Sequence, residues 1–336
     1  MNNVRWKMAW NVLSCIAFLG CVDNHAPITK HRTKESIQKD AINDSAWVKN
    51  KEYAYGDIRR YGFVNKTLSQ IQLDSIMELA DQGIKIVFPS GSYPIDFNIH
   101  NRENIKFHFN GSTITGKLSL HNAQNIEITG DLEILDILFL RDSKQIVFEN
   151  ISVSTDIDKC KSKKANRGVN IYSGCNNISF DKLNISNFGG EGDFFAYAHA
   201  ALMIHGFENT PENIRIKNIL IENSKRTGAY ISGKNHGIGR IEVVNYGLSN
   251  RSMDSKPVEK ASIGEEKIYS GIWMNLTENN SIDTLIVRNQ KSMGNYSVIF
   301  DESLGTIPNI IKTISLSDPN IHKTDYNSNI LVLNEF

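Results

Sequence analysis

The chain has no surplus of charge of either sign: 37 Lys and Arg face 37 Asp and Glu across 336 residues. Without an overall field, little draws in nucleic acid, and any charge-based recognition is local. Cysteine is scarce, with 4 residues, and no Cys or His cluster has the spacing that holds zinc. A Gly-rich strand-to-helix phosphate loop is missing as well, which removes the usual nucleotide-binding motifs. Hairpin signals such as Asn-Gly between alternating runs are few, which argues against a sandwich or barrel. Long apolar runs are also absent: "MAWNVLSCIAFLG", ending at Gly20, is too short to span a bilayer comfortably.

That run follows Arg5 and Lys7, so residues 1–20 are expected to be a signal peptide. Its end, "FLGC", resembles a bacterial lipobox, with Phe18 where Leu is usual. On that resemblance Cys21 becomes a lipidated N-terminus; the alternative is an ordinary secretory signal cut nearby. Residues 21–53 are polar and charged, and are expected to form a solvated tether. The protein is then exported and lipid-anchored in a bacterial outer membrane, facing the periplasm or the cell surface. Cys160 and Cys175 lie in the exported part, either as a disulfide or as two separate thiols.

From Ile86 onward one phrase keeps returning: "NIKFHF", "NIEITG", "QIVFENISV", "NISFDKLNIS", "NIRIKNILIE", "SIDTLIVRN". Such self-similarity marks a repeat architecture. The spacing widens along the chain, as when a constant strand core carries loops of variable length. At one turn position successive repeats read Thr155, Asn187, Asn223, Asn245 and Asn289. Asn tolerates left-handed turn dihedrals and can bond to the amide one coil away, so a stacked amide ladder is expected.

These phrases resemble the right-handed parallel β-helix of the pectate-lyase superfamily, from about Tyr55 to the C-terminus. The lead-in is similar too: "TLSQIQLDSIMELADQG" has apolar residues at helical spacing, and "IKIVFPSGSYPI" follows, close to that family's strand, Pro-x-Gly-x-Tyr and next strand. The chain departs from the family before the helix, where an Asp-rich stretch is usual and "NKTLSQ" stands. The resemblance implies an all-β fold: a single-stranded right-handed parallel β-helix, or three-sheet solenoid, over residues 54–336, with an α-helical cap over about 67–82. It implies little about chemistry, because this fold hosts lyases, hydrolases, isomerases and adhesins.

In enzymes of that superfamily the sheet after the longest loops floors the substrate groove. Five such strands align here: "RGVNIYS", "AALMIHG", "TGAYISG", "SGIWMNL" and "YSVIFDE". Strand alternation turns Val169, Leu202, Ala229, Ile272 and Val298 inward with Ile171, Ile204, Ile231, Met274 and Phe300. Two outward rows follow: Asn170, Met203, Tyr230, Trp273 and Ile299, then Tyr172, His205, Ser232, Asn275 and Asp301. A third row reads Asn166, His199, Arg226, Tyr269 and Asn295. Aromatic faces such as Tyr230 and Trp273 suit sugar rings, and amides and hydroxyls suit sugar hydroxyls.

His199, Arg226 and Tyr269 are expected at one height on neighbouring coils. For β-elimination of a uronate-containing glycan, Arg226 or Lys225 neutralises the carboxylate, His199 or Tyr269 removes the proton, and the other protonates the leaving oxygen. His205 is a substitute base, and Lys234 and His236 are expected to reach the groove. Glycoside hydrolysis is the runner-up, because Glu191 and Asp193 fall at the groove edge, Asp301 and Glu302 lie on the last of these coils, and two flanking carboxylates suffice. A non-catalytic carbohydrate-binding or adhesive solenoid is the third reading. The resemblance implies Ca²⁺ as a cofactor, as in many lyases of that superfamily, with Asp156 and Asp158 as candidate oxygen ligands. The expected partner is a polysaccharide or oligosaccharide, and nucleic acid is not expected.

Overall fold

The computed structural model describes residues 43–64, 68–154, 166–189, 200–206, 208–248, 269–290, 296–317, 323–325 and 328–336. Residues 42–336 form one compact unit. Its described strands pair in parallel, in two stacked sheets. The fold is therefore an all-β parallel solenoid.

The larger sheet runs in the order Ile86–Phe88, Glu103–Ile114, Gln124–Ile134, Lys144–Val153, Asn176–Ser186, Arg215–Glu222, Gly237–Val244, Ser281–Arg288, Asn309–Ser317 and Ile330–Glu335, with Gly91–Tyr93 beside Glu103–Ile114. Its long strands hold two inward-facing stretches each. In Asn176–Ser186, Ile178 and Phe180 point inward, Asp181 and Lys182 are both exposed, and Leu183 and Ile185 point inward again. Two consecutive exposed residues break the period-2 alternation, and a second inward stretch begins.

The smaller sheet runs Phe97–His100, Leu118–His121, Ile137–Arg141, Gly168–Ile171, Ala200–Ile204, Thr227–Lys234, Ser270–Glu278, Tyr296–Phe300 and Lys323–Asp325. Stacking like on like fills the interior. Ile105, Ile126, Ile146 and Ile178 pair in succession, and the Phe148 and Phe180 rings stack 4.5 Å apart. Where the chain enters the Thr227 and Ser270 strands there is no room for a side chain. A Cβ on Gly228 would lie 2.5 Å from both Gly271 O and Val243 Cγ1, and one on Gly271 2.5 Å from Val287 Cγ1.

The expected amide ladder forms at Asn187, Asn223 and Asn245; Asn289 does not share their left-handed φ, and Thr155 lies outside the described residues. Asn187, Asn223 and Asn245 hold φ of 54, 56 and 56°, and Nδ2 of Asn223 and Asn245 donates to Oδ1 of the preceding member at 3.4 and 3.3 Å. A second left-handed corner, not foreseen, carries Asn104, Asn125, Gln145, Asn177, Asn213, Asn235 and Asn279. Within it Asn125 donates to Asn104 at 2.6 Å and Asn279 to Asn235 at 2.7 Å.

One expectation changes and two are sharpened. The folded part begins before residue 54: Asp44 is 7% exposed and accepts from Arg60 Nε at 2.7 Å and the Tyr61 hydroxyl at 3.0 Å. The helix spans Gln70–Asp81, starting at Ser69 because Ser69 and Gln72 form a reciprocal capping box. Its Leu73, Ile76, Met77, Leu79 and Ala80 join the core. Cys175 is a free, buried thiol rather than half of a disulfide. It fills a core position at a corner, where burial pushes the thiol up to about 11. Cys160 and Cys21 lie outside the described residues.

The interior also changes character along the chain. The inward row that begins with isoleucines continues as His236, Asn280 and Asn309, all buried. The His236 N–H donates to Asn280 Oδ1 at 2.7 Å and the Asn280 N–H to Asn309 Oδ1 at 3.1 Å. His236 Nδ1 accepts from the Ile214 N–H at 3.2 Å, which leaves Nε2 to donate to Ser232 O at 2.9 Å. The imidazole is thus neutral, and burial lowers it to about 4. The expectation that His236 reaches a groove is overturned.

Candidate functional site

The registers of the smaller sheet place Asn170, Met203, Tyr230, Trp273 and Ile299 opposite one another on successive strands, as alternation requires. Their inward neighbours, from Val169 to Val298 and from Ile171 to Phe300, are buried. Met203 and Ile299 are buried too, so Tyr230 and Trp273 carry most of that row's accessible surface.

The aromatic side chains of the two outward rows form one continuous path across the strands. Tyr172 meets His205 edge to face at 5.9 Å, His205 meets Tyr230 at 5.4 Å, and Tyr230 meets Trp273 at 5.5 Å. Phe139, one strand earlier, lies 5.7 Å from Tyr172. All five are half-buried. Polar groups fix the far end. Asn275 Nδ2 donates to the Tyr230 hydroxyl at 3.1 Å, and the Trp273 indole donates to Asp301 Oδ2 at 3.3 Å.

One register departs from a plain ladder. Between Ile231 and Gly233 the partner strand advances from Met274 to Thr277, so Asn275 and Leu276 together face Ser232. Leu276 takes a φ of 52° at this bulge. Ser232 turns inward, fully buried, and its hydroxyl donates to Ile204 O at 3.0 Å. Ser232 therefore leaves the outward row, and Asn275 leans onto Tyr230.

The electrostatics of the row follow from burial. His205 is lowered by desolvation, so its imidazole is neutral at neutral pH. Tyr172 and Tyr230 are raised by the same cause and stay protonated. A neutral imidazole thus sits between two phenols.

Arg226 and Tyr269 lie elsewhere. Both are 0% exposed; Arg226 comes just before the tight entry at Gly228, where the chain turns into the sheet. The expectation that they face a groove is overturned. Lys234 is drawn away from the aromatic path, because its Nζ pairs with Glu212 Oε1 at 3.1 Å. His199, Glu191, Asp193, Asp156 and Asp158 lie outside the described residues.

Several residues on this face were missed. Phe97–His100, Leu118–His121 and Ile137–Arg141 pair in register with the mapped strands, so His100, His121 and Arg141 extend the row of Tyr172 and His205. The signal was the endings "FNIH", "LSLH" and "ILFLR", which share the alternation but lack the long loops used to find the later strands. Arg141 is 56% exposed, with Nε 3.4 Å from Asp142 Oδ2. Its terminal nitrogens have no protein partner among the described residues.

Among the described residues no group of three or more His, Cys, Asp or Glu side chains is placed to hold a metal ion. No described helix is long and apolar enough to cross a membrane. Comparison of the chain with protein-family models, curated proteins and solved structures found no match.

Proposed function

We propose that the protein is an exported, lipid-anchored β-helix that binds an extracellular polysaccharide along the aromatic row and cleaves it by β-elimination at a uronate. In this reading the solenoid is right-handed and three-faced, of the pectate-lyase kind, and the helix at Gln70–Asp81 covers its first coil. The observation that carries it is the unbroken edge-to-face path Tyr172–His205–Tyr230–Trp273. Aromatic platforms repeating at strand spacing, about 4.8 Å, suit the repeating rings of a glycan chain.

Because Arg226 and Tyr269 are enclosed, the chemistry moves to the face itself. His205, neutral through burial, takes the proton beside the carboxylate. Tyr230, kept protonated by burial and held by Asn275, gives a proton to the leaving oxygen. Arg141, on the same face and anchored at Nε by Asp142, turns its free edge to the carboxylate.

A second reading, binding without cleavage, is favoured by the mutual hydrogen bonding of Asn275 with Tyr230 and of Trp273 with Asp301, which suits a rigid platform. Incubation with a panel of uronate-containing polysaccharides separates the readings. Unsaturated products absorbing in the ultraviolet support elimination. Reducing ends without that absorbance move the case to hydrolysis, and binding with neither leaves a carbohydrate-binding protein.

A further inference from the structure

A trough of about 570 Å³ lies at the corner where the smaller sheet passes into the larger one. It shares none of the aromatic row's residues. The early coils turn this corner in two residues: Asn101–Arg102, Asn122–Ala123 and Asp142–Ser143. Asn101, Asn122 and Asp142 make the turn in the left-handed region, at φ of 54, 51 and 50°. The connection after Ala200–Ile204 is longer and folds back over its neighbour. The Gly174 N–H donates to Asn209 O at 2.8 Å and the Glu212 N–H to Cys175 O at 3.0 Å. Residues 208–212 thereby stand as a wall at the end of a row of short corners, and a trough results.

Its lining is selective. Asn101, Asn122, Gln124, Asn176 and Asn209 bring side-chain amides to it, and among the described residues no aromatic ring contributes. The amides are ordered along the coil axis: Asn122 donates to Asn101 at 2.8 Å, Gln124 to Gln145 at 3.4 Å, and Asn213 to Asn176 at 3.3 Å. A side-chain amide has two N–H donors and two acceptor lone pairs. The ladder engages only part of that capacity, and exposed Asn101, Asn122, Gln124 and Asn209 offer the remainder to the trough. Charges of both signs line it: Arg102 and Lys144 against Glu103, Asp142 and Glu212. Arg102 is already paired with Asp81. Among the described residues there is no one-signed field for a polyanion and no platform for a stacked base, but many alternating donors and acceptors at coil spacing.

We propose that this corner trough is a second saccharide-binding site, taking an uncharged, hydroxyl-rich glycan chain laid across the coils at about one sugar ring per coil of roughly 4.8 Å. It does not depend on what the aromatic row binds. A chain held at both places gains avidity from effective concentration.

The test uses the full chain and a panel of neutral oligosaccharides, the cello-, xylo-, manno- and galacto-hexaoses, titrated by calorimetry. The combined variant Asn122→Gly, Gln124→Ala, Asn209→Ala removes three amides; glycine keeps the left-handed turn at position 122. Asn209→Ala alone is the check against misfolding, because that side chain is exposed and has no protein hydrogen bond among the described residues. The expected result is that at least one hexaose binds, that the combined variant weakens it tenfold or more and the single variant measurably. Trp273→Ala should leave that binding unchanged. Absence of binding by any hexaose, binding that survives the combined variant, or binding lost only with Trp273→Ala each overturns the proposal. The last two outcomes leave the aromatic-row reading intact, and uronate cleavage tests that reading separately.

Discussion

Tyr230 and Trp273 stand on adjacent strands with their rings 5.5 Å apart and 71° from parallel, so each presents a different aspect to the same surface. The pair is held by Asn275 on the phenol and Asp301 on the indole. Few rotamers remain to be lost on binding, which is what makes an aromatic anchor effective. Replacing Trp273 with Ala should therefore weaken polysaccharide binding by about 2 kcal/mol, roughly 30-fold. Because Trp273 is half-buried at the surface, the melting temperature should shift little. Unchanged affinity in affinity electrophoresis would remove the aromatic row as the binding surface.

His205 lies between Tyr172 and Tyr230, lowered by burial while both phenols are raised. A base must be unprotonated, so turnover should rise as pH climbs through a value below the ordinary 6.5 of histidine and then level off. Tyr230 should hold the plateau beyond pH 10, the ordinary value of tyrosine. His205→Gln should abolish the eliminated product while leaving polysaccharide binding within a few-fold. An acid limb above pH 7, or full turnover in that variant, would assign the proton transfer to another group.

Arg226 is fully enclosed, which separates two consequences of removing it. A groove residue replaced by Ala leaves stability intact and lowers turnover. A buried guanidinium replaced by Ala leaves a void and disrupts the polar groups packed around it, at a cost of roughly 2–4 kcal/mol. Urea denaturation of Arg226→Ala should show the second, as a lower midpoint at unchanged slope. Wild-type stability with lost turnover would restore Arg226 to the site.

The alternation of aliphatic residues made the strands legible, and with them the registers from Asn170 to Ile299, because a period of two fixes which side chains share a face. The Asn ladder was legible for a similar reason, since only a few residues tolerate its left-handed corner. The depth of the third row was not. Arg226 and Tyr269 have the polar or amphipathic character of surface residues, and sequence alternation does not report what later segments cover. Ser232 escaped for another reason: the extra residue at Leu276 changes the pairing, and no glycine stands at Asn275 or Leu276 to mark a bulge in the sequence. Likewise His236 reads as a groove residue in "SGKNHGIG", although it occupies an isoleucine position of the interior stack.

His236 makes stability depend on pH. Its folded value, about 4, lies below the ordinary 6.5 because the buried ring resists charge. The unfolded chain binds the proton more readily between those values, so stability is complete above about pH 6.5 and falls as pH drops towards 4. The full loss is on the order of 3 kcal/mol. Urea midpoints at pH 7.5 and 4.5 should differ in that sense, and His236→Asn should flatten the histidine part of the difference. An equal pH dependence in that variant would show that His236 is not the responsible group.

Gly228 sets how closely the two sheets approach at the entry to the Thr227–Lys234 strand. A Cβ there meets Gly271 O and Val243 Cγ1, both at 2.5 Å, a separation that packed atoms do not tolerate. Since the carbonyl belongs to the neighbouring strand and the valine to the facing sheet, relief requires both to move. Gly228→Ala should therefore destabilise by about 1–3 kcal/mol, as overpacking of a filled interior does. Adding Val243→Ala removes the valine contact but not the carbonyl contact, so the double variant should be more stable than the sum of the two single losses, without reaching wild type. Simple additivity in a double-mutant cycle would mean that the sheets are not in contact at this point.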